Sequence, residues 1–354
     1  MTDHPYVALP DRNFWMRTMA AGSLHSINPE DQTERPILPS DRLMTLGSCF
    51  AQHISRHLAR HGNSFLVTEP GAPDLTEQIR KDRGYGVFTA RYGNVYTVRQ
   101  ALQLLRRSFD QIESCGDLWL DDEKVVDPHR PTIEPEGFGS IADLNDDRTR
   151  HLAATRQAFT EADVLVFTLG LTEAWRSKET GLVFPLAPGV SGGEFDASIH
   201  EFVNFSFSET ISDLMQFIRE LRGVNPLIRV ILTVSPVPLA ATFEPRHVLV
   251  STAASKAILR AAADQAARDL EDVSYFPSYE IITAPGFSDR YFEDDLRSVR
   301  SCGVEHVMRV FKSAYMDAHK TAANTEQETK SKFQHDSLER SDVEAVICDE
   351  DQLL

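Results

Sequence analysis

The residues best placed for chemistry sit where apolar runs stop. Arg42 to Leu46 (RLMTL) leads into Gly47-Ser48-Cys49, and a helical pattern follows from Phe50 to His61. A thiol in a tight turn at a helix start is biased toward thiolate, because the backbone N–H groups and the helix dipole stabilise an anion there. The same N–H groups can hold an oxyanion. Ser48 is a second candidate nucleophile, one that needs a general base. A plainer alternative has Gly47 making the turn, Ser48 capping the helix and Cys49 packing as a small apolar residue.

A second run, Asp163 to Leu169, leads into Gly170-Leu171-Thr172-Glu173-Ala174-Trp175. A carboxylate at Glu173 could orient a base or bind a hydroxyl-rich substrate, and Trp175 could stack on a sugar face. A capping acid and a packed indole fit the same positions. The run from Ile228 to Val234 is followed by Ser235-Pro236 and, further on, His247. The run from Val273 to Phe276 is followed by Ser278-Tyr279-Glu280. Tyr92-Gly93-Asn94-Val95-Tyr96 can bring an N–H and a side-chain amide to one oxygen, as oxyanion holes do, and is equally a turn signal.

These turns need a scaffold that brings them together. Apolar runs bounded by Gly, Pro and Ser suit strands buried on both faces of a parallel sheet. Helical stretches alternate with them: Thr149 to Ala162, a stretch opened by the capping-box spacing of Ser206 and Glu209, Ser251 to Leu270, and Gly303 to Tyr315. That rhythm predicts an α/β fold with a doubly wound, mostly parallel sheet. Ligands of such sheets bind at the carboxyl ends of the strands, where all these turns lie. The segment at about 85–140 breaks the rhythm with a helix from Val98 to Phe109 and a hairpin of LWL and KVV, and reads as an inserted lid. Residues 1–40 are expected to wrap the outside of an α/β domain spanning 41–320.

Composition excludes several classes. The chain has 354 residues, 36 Lys and Arg against 53 Asp and Glu, and a net charge of −17. Phosphates must be neutralised by clustered Lys and Arg, so neither nucleic acid nor an anionic membrane is an expected partner. No apolar run of about 18 residues is present, so no spanning helix is expected. The N-terminus lacks a basic region followed by an apolar stretch, which argues against a secretory signal. Cys49, Cys115, Cys302 and Cys348 show no CxxC rhythm. That pattern points to free thiols in the cytoplasm and away from a metal site. Residues 321–354 hold nine acids, three bases and one aromatic, Phe333, and read as a disordered acidic tail.

Five collinear stretches resemble the GSCFA domain family: Gly47-Ser48-Cys49-Phe50-Ala51, which spells its name; YGNVYT at Tyr92 to Thr97; FTLGLTEAW at Phe167 to Trp175; TVSPVP with RHVL and SKAILR between Thr233 and Arg260; and FPSYE at Phe276 to Glu280. The family looks like a branch of the SGNH (GDSL-type) hydrolases, which implies a flavodoxin-like parallel sheet. In that superfamily a Gly-Asp-Ser turn supplies the nucleophile, a Gly-x-Asn-Asp turn an oxyanion-hole amide, and a late Asp-x-x-His the orienter and base.

Carried over residue by residue, Cys49 takes the nucleophile position and Ser48 the aspartate position. Thr172 replaces the oxyanion-hole Asn after Gly170. Asp295-Leu296-Arg297-Ser298 lies where Asp-x-x-His should be, with Ser298 instead of histidine. Ser298 is no base near pH 7. His247 after the third strand, or His306 in the closing helix, would have to replace it; otherwise the domain only binds. A cysteine depends less on a base than a serine does.

The resemblance therefore implies an acyl-transfer enzyme, an esterase or O-acyltransferase, acting on a glycan or similar hydroxylated small molecule. Such an enzyme needs no tightly bound cofactor, and acyl-CoA or another activated ester would be its donor. A cytoplasmic setting favours transfer, as in surface-polysaccharide synthesis. The alternative is a non-catalytic carbohydrate- or nucleotide-binding module on a hydrolase scaffold. A redox-sensing thiol has little support, since no resolving cysteine lies near Cys49 in sequence.

Overall fold

A computed structural model describes residues 4–19, 27–30, 32–60, 65–112, 118–121, 124–316 and 349–353. The chain divides into two compact units. One comprises 1–38 and 277–344, the other 39–276 and 345–354. The division at Pro277 falls inside the stretch read from the sequence as one domain. Most of the expected tail, 317–348, lies outside the described residues. Its last part departs from the expectation of disorder, since Asp349–Leu353 form a 3-10 turn belonging to the larger unit.

The strands in chain order are β1 (Leu43–Gly47), β2 (Trp119–Asp121), β3 (Lys124–Val126), β4 (Val164–Leu169), β5 (Glu173–Ser177), β6 (Val183–Phe184), β7 (His200–Asn204), β8 (Arg229–Val234) and β9 (Val273–Tyr275). The helices are α1 (Trp15–Thr18), α2 (Cys49–Arg60), α3 (Glu77–Asp82), α4 (Val98–Ser108), α5 (Ile141–Glu161), α6 (Phe207–Val224), α7 (Val248–Asp269), α8 (Ser278–Thr283), α9 (Ser288–Tyr291) and α10 (Ser301–Tyr315).

In the larger unit β1, β4, β8 and β9 form one sheet in that order, every pair parallel. Every residue of β1 and β4 is buried, which explains their unbroken apolar character. A further parallel bridge joins Phe65 to the free side of Leu43. The chain thus steps outward from β1 to Phe65 and then returns to β4 on the other side. That reversal makes the carboxyl ends of β1 and β4 a topological switch point, where open α/β sheets bind ligands. Right-handed crossovers in opposite directions put α2 and the pair α6 and α7, which pack on each other, on opposite faces. Ala51, Ile54 and Leu58 of α2 are wholly buried, at the spacing of one helix face. The capping box of Ser206 and Glu209 opens α6, as its spacing predicts.

The segment at about 85–140 contains α4 and the expected antiparallel hairpin of β2 and β3. Buried ion pairs tie it to α5: Arg91 to Asp147 at 3.0 Å, Arg130 to Asp147 at 2.9 Å, and Arg148 to Asp127 at 3.0 Å. A second, antiparallel sheet of order β6-β5-β7 was not legible in the sequence. Its strands are short and mix charged with apolar residues, so neither alternation nor an apolar run marks them. In the smaller unit α8, α9 and α10 pack together, and the N-terminal stretch runs along α10, with Thr33 and Ile37 donating to the carbonyls of Ala314 and Tyr315. No described helix is long and apolar enough to cross a membrane.

Candidate functional site

Gly47 ends β1 with φ of +141°, and a Cβ on it would lie 2.2 Å from the Thr168 carbonyl oxygen of β4. Only glycine allows both the left-handed backbone and that approach. The Gly47 carbonyl accepts from the Val95 N–H at 2.9 Å, which fixes the loop before α4 against the end of β1. The Ser48 carbonyl accepts from Ala51 N–H at 2.8 Å, and α2 begins at Cys49. Past β4, the N–H groups of Gly170 and Leu171 donate to the Tyr96 carbonyl at 3.2 and 2.8 Å. A Cβ on Gly170 would stand 2.9 Å from that carbonyl and 3.0 Å from the Ser48 Cβ. Both glycines therefore serve close packing of three loops at the switch point.

The cleft these loops form is lined by Ser48, Cys49, Tyr96, Gly170, Ser235 and Lys256, among others. Cys49 is 4% exposed and Lys256 1%. The Lys256 ammonium donates to the Gly170 carbonyl at 2.8 Å. The Ser48 hydroxyl is buried and has no hydrogen-bond partner among the described residues. Lys256 escaped the sequence reading, although a signal existed. It lies on the face of α7 that also buries Ser255, Leu259, Ala262, Ala263 and Ala266. A lysine on an otherwise small and apolar stripe violates helical patterning, and buried lysines need a reason.

Beside this cleft, and sharing Leu171 with it, lies a cavity of about 380 Å³. Glu173 and Trp175 both line it. They belong to β5, not to a turn or a helix cap. Trp175 meets Phe195, Phe202 and Phe243 edge-on, with ring centroids 5.1, 5.8 and 4.8 Å away. Glu173 accepts from the Thr242 hydroxyl at 2.7 Å and from the Phe243 N–H at 3.3 Å. Burial holds its carboxyl above the usual range, against those two hydrogen bonds.

Other sequence candidates stand elsewhere. The Thr172 hydroxyl is buried and donates to Asn204 Oδ1 at 2.8 Å, while its N–H donates to Ser255 Oγ at 3.0 Å. In this arrangement its proton goes to β7 and not toward the Cys49 turn. Asn94 lines a separate cavity of about 30 Å³ with Gln52 and Thr132. Its Oδ1 accepts from Gln52 Nε2 at 3.3 Å.

No histidine lines the Cys49 cleft among the described residues. His247 is the exposed N-cap of α7, and its Nδ1 accepts from the Leu249 N–H at 3.1 Å. Its position is decided by a local capping bond, which competes with any catalytic role. His306, Asp295, Ser298 and Tyr279 belong to the smaller unit. His306 is 1% exposed, with Nδ1 2.8 Å from the Tyr291 hydroxyl and Nε2 2.8 Å from the Ile27 carbonyl. Both nitrogens are engaged, which fits a packing role. Asp295 closes a turn, accepting from the Ser298 hydroxyl at 2.6 Å and from the N–H groups of Arg297 and Ser298 at 2.8 Å each. Tyr279 is half-buried in α8, its carbonyl accepting from the Thr283 hydroxyl at 2.7 Å. Among the described residues no group of three or more His, Cys, Asp and Glu is placed to hold a metal ion.

The GSCFA family model matches residues 42–311, and the chain belongs to that family. No curated protein matches it. Among solved structures, it is similar to a carbohydrate esterase family 3 protein from Talaromyces cellulolyticus, at TM-score 0.35 and 12% identity over 77% of this chain and 94% of that one. A mutant acetyl esterase with an acetate ion matches at TM-score 0.33 and 12% identity, over 75% and 92%. An acetyl xylan esterase from Butyrivibrio proteoclasticus matches at TM-score 0.27 and 12% identity, over 68% and 56%.

Proposed function

We propose that this GSCFA-family protein is an acyl-transfer enzyme, an esterase or O-acyltransferase, with Cys49 as its nucleophile and a carbohydrate or similar hydroxylated molecule as its substrate. The observation that carries the reading is the meeting of Cys49, first residue of α2, with the buried Lys256 in one cleft at the switch point. A nearby ammonium and a helix N-terminus both favour thiolate over thiol.

The chemistry follows from those groups. The Cys49 thiolate attacks the ester or thioester carbonyl, forming a C–S bond. The oxyanion is received at the start of α2, where the positive end of the helix dipole stabilises negative charge; the Ala51 N–H there is already given to the Ser48 carbonyl. As the C–O or C–S bond of the donor breaks, the leaving group takes a proton from Lys256. The neutral amine then takes a proton from water or a sugar hydroxyl as that oxygen attacks the acyl-enzyme. The new C–O bond forms, the C–S bond to Cys49 breaks, and thiolate and ammonium are restored. A lysine in this role answers the missing histidine at Ser298. The aromatic cavity at Trp175 suits a sugar face or an acyl chain, with Glu173 to accept from hydroxyls. The other reading, a non-catalytic carbohydrate- or nucleotide-binding module, rests on Ser298 standing where the Asp-x-x-His pattern has its base.

Intact-mass spectrometry with an activated acetyl ester, and separately with acetyl-CoA, tests the proposal. An acetyl adduct present in the wild type and lost in Cys49→Ala, but kept in His247→Ala, is the expected result. Loss only in Ser48→Ala would move the nucleophile by one residue. No adduct and no turnover with either donor would transfer the case to the binding module.

A further inference from the structure

The last described residues of the chain fold back onto this site. Asp349 lines the small cavity that holds Asn94, and accepts from the Thr132 hydroxyl at 2.9 Å. Glu350 lines both the Cys49 cleft and the aromatic cavity, and Leu353 lines the aromatic cavity too. Gln352 is hydrogen-bonded to the Ser191 hydroxyl. One short segment thus reaches three cavities in turn. Two of its residues are acids with exposures of only 2% and 6%. Carboxylates are rarely buried so deeply unless their surroundings receive them. With Glu350 in place no space for a water molecule remains in the Cys49 cleft. The segment lies beyond residues 42–311, the stretch that the family model matches.

We propose that the Cys49 cleft is a binding surface for an acidic, leucine-bearing peptide, and that its resident occupant is the chain's own Asp349–Leu353 segment, which closes the site. The match is chemical at each position. Glu350 brings a carboxylate to a cleft that holds the Lys256 ammonium, Leu353 brings an apolar side chain to a cavity walled by Trp175 and Phe243, and Asp349 finds a hydroxyl donor. A substrate must displace this segment to reach Cys49, so occupancy of the cleft by the chain end sets the activity of the site. The role of the segment as a regulator rests on the acyl-transfer reading. Its occupancy of the cleft does not.

Thiol alkylation separates the two. The full-length protein and a full-length Glu350→Ala/Leu353→Ala variant are treated with iodoacetamide, and each cysteine is followed by peptide-resolved mass spectrometry. Alkylation of Cys49 is expected to be at least about tenfold faster in the variant, the effect of raising access to a buried thiol. A synthetic peptide of residues 349–354, added in excess, should return it toward the wild-type rate. Cys302, exposed and in the other unit, should react equally in both proteins. Equal Cys49 rates in the two proteins, or a peptide without effect on the variant, would overturn the proposal. If Cys302 also accelerates, the double variant has loosened, and Leu353→Asp alone decides, because that side chain is 43% exposed and its replacement spares the core. Alkylation reads access and not turnover. An enzyme that never acylates Cys49 would leave this inference standing, and an open cleft would leave the acylation reading standing.

Discussion

Lys256 and Gly170 are joined by a hydrogen bond of 2.8 Å from ammonium to carbonyl, at the point where β4 ends beside the start of α2. A buried ammonium that donates to a backbone carbonyl is held at a fixed place, next to the turn that carries Cys49. The bond also ties α7 to the loop whose Gly170 packs on Ser48.

Replacing Lys256 by methionine keeps the stem and removes the charge. Such apolar replacement of a buried ion often leaves stability little changed. With the ammonium gone the Cys49 thiolate loses its counter-charge. Both proteins should carry Glu350→Ala, so that the cleft is open. Alkylation of Cys49 at pH 7 should then slow about tenfold, and its pH profile should move to higher pH. An unchanged profile would remove Lys256 from the mechanism.

Gly47→Ala sets a methyl 2.2 Å from a backbone carbonyl at a φ of +141°. Backbone cannot give way as a flexible side chain can. The loss should exceed about 3 kcal/mol, since strain and overlap add. Gly170→Ala meets the Tyr96 carbonyl at 2.9 Å and Ser48 at 3.0 Å, so it should destabilise less and act mainly by displacing Ser48. Thermal melts should rank them in that order.

Trp175→Ala removes the indole that meets three phenylalanine rings in the cavity beside the cleft. Substrate that stacks there should show KM raised about tenfold, the worth of one aromatic contact. Cys49 alkylation in the open Glu350→Ala background should stay as it was. Parallel loss of both would mean that Trp175 supports the fold and not the substrate.

Acidification should weaken the larger unit before its carboxylates titrate. Burial lowers His53 and His151 to about 4, with Arg56 adding to the effect at His53 and Arg130 at His151, and burial also holds His129 well below the usual histidine range. Each is neutral when folded and takes up a proton more readily when unfolded, so stability is full above about pH 6.5 and falls as pH drops toward 4. For His151 the loss between pH 7 and pH 5 is about 2 kcal/mol. Glu69 works in a lower window. Its His151 hydrogen bond and the neighbouring charges outweigh burial and lower it to about 2, so its contribution fades only below about pH 4.5. Calorimetry at pH 7 and pH 5 should show a Tm drop that His151→Gln reduces. No drop over that interval would contradict the buried neutral state.

Much of the scaffold was legible because its signals are local. Arg42–Leu46 and Asp163–Leu169 read as strands, and β1 and β4 fall within a residue of them. Ser206 and Glu209 announced α6 by spacing alone. The helix read from Thr149 begins eight residues earlier, at Ile141, since Ser140 caps it there. Glu173 and Trp175 were found as candidates but placed on a turn. Their strand, β5, depends on pairing with β7, which local pattern does not encode. His247, Thr172 and His306 were reasonable by type, and each is held by another partner: a capping bond, an amide on β7 and a tyrosine.

By itself the sequence determined the parallel α/β architecture, the GSCFA turn at the head of α2 and the family, because apolar runs, caps and glycine turns are properties of neighbours in the chain. Tertiary structure decided which side chains share a cleft. Lys256 stands more than two hundred positions from Cys49, and Glu350 nearly a hundred beyond that, yet all three line one space at the switch point. Contacts so distant in sequence are chosen by the packing of α7 and the chain end against the sheet, and no local pattern specifies them.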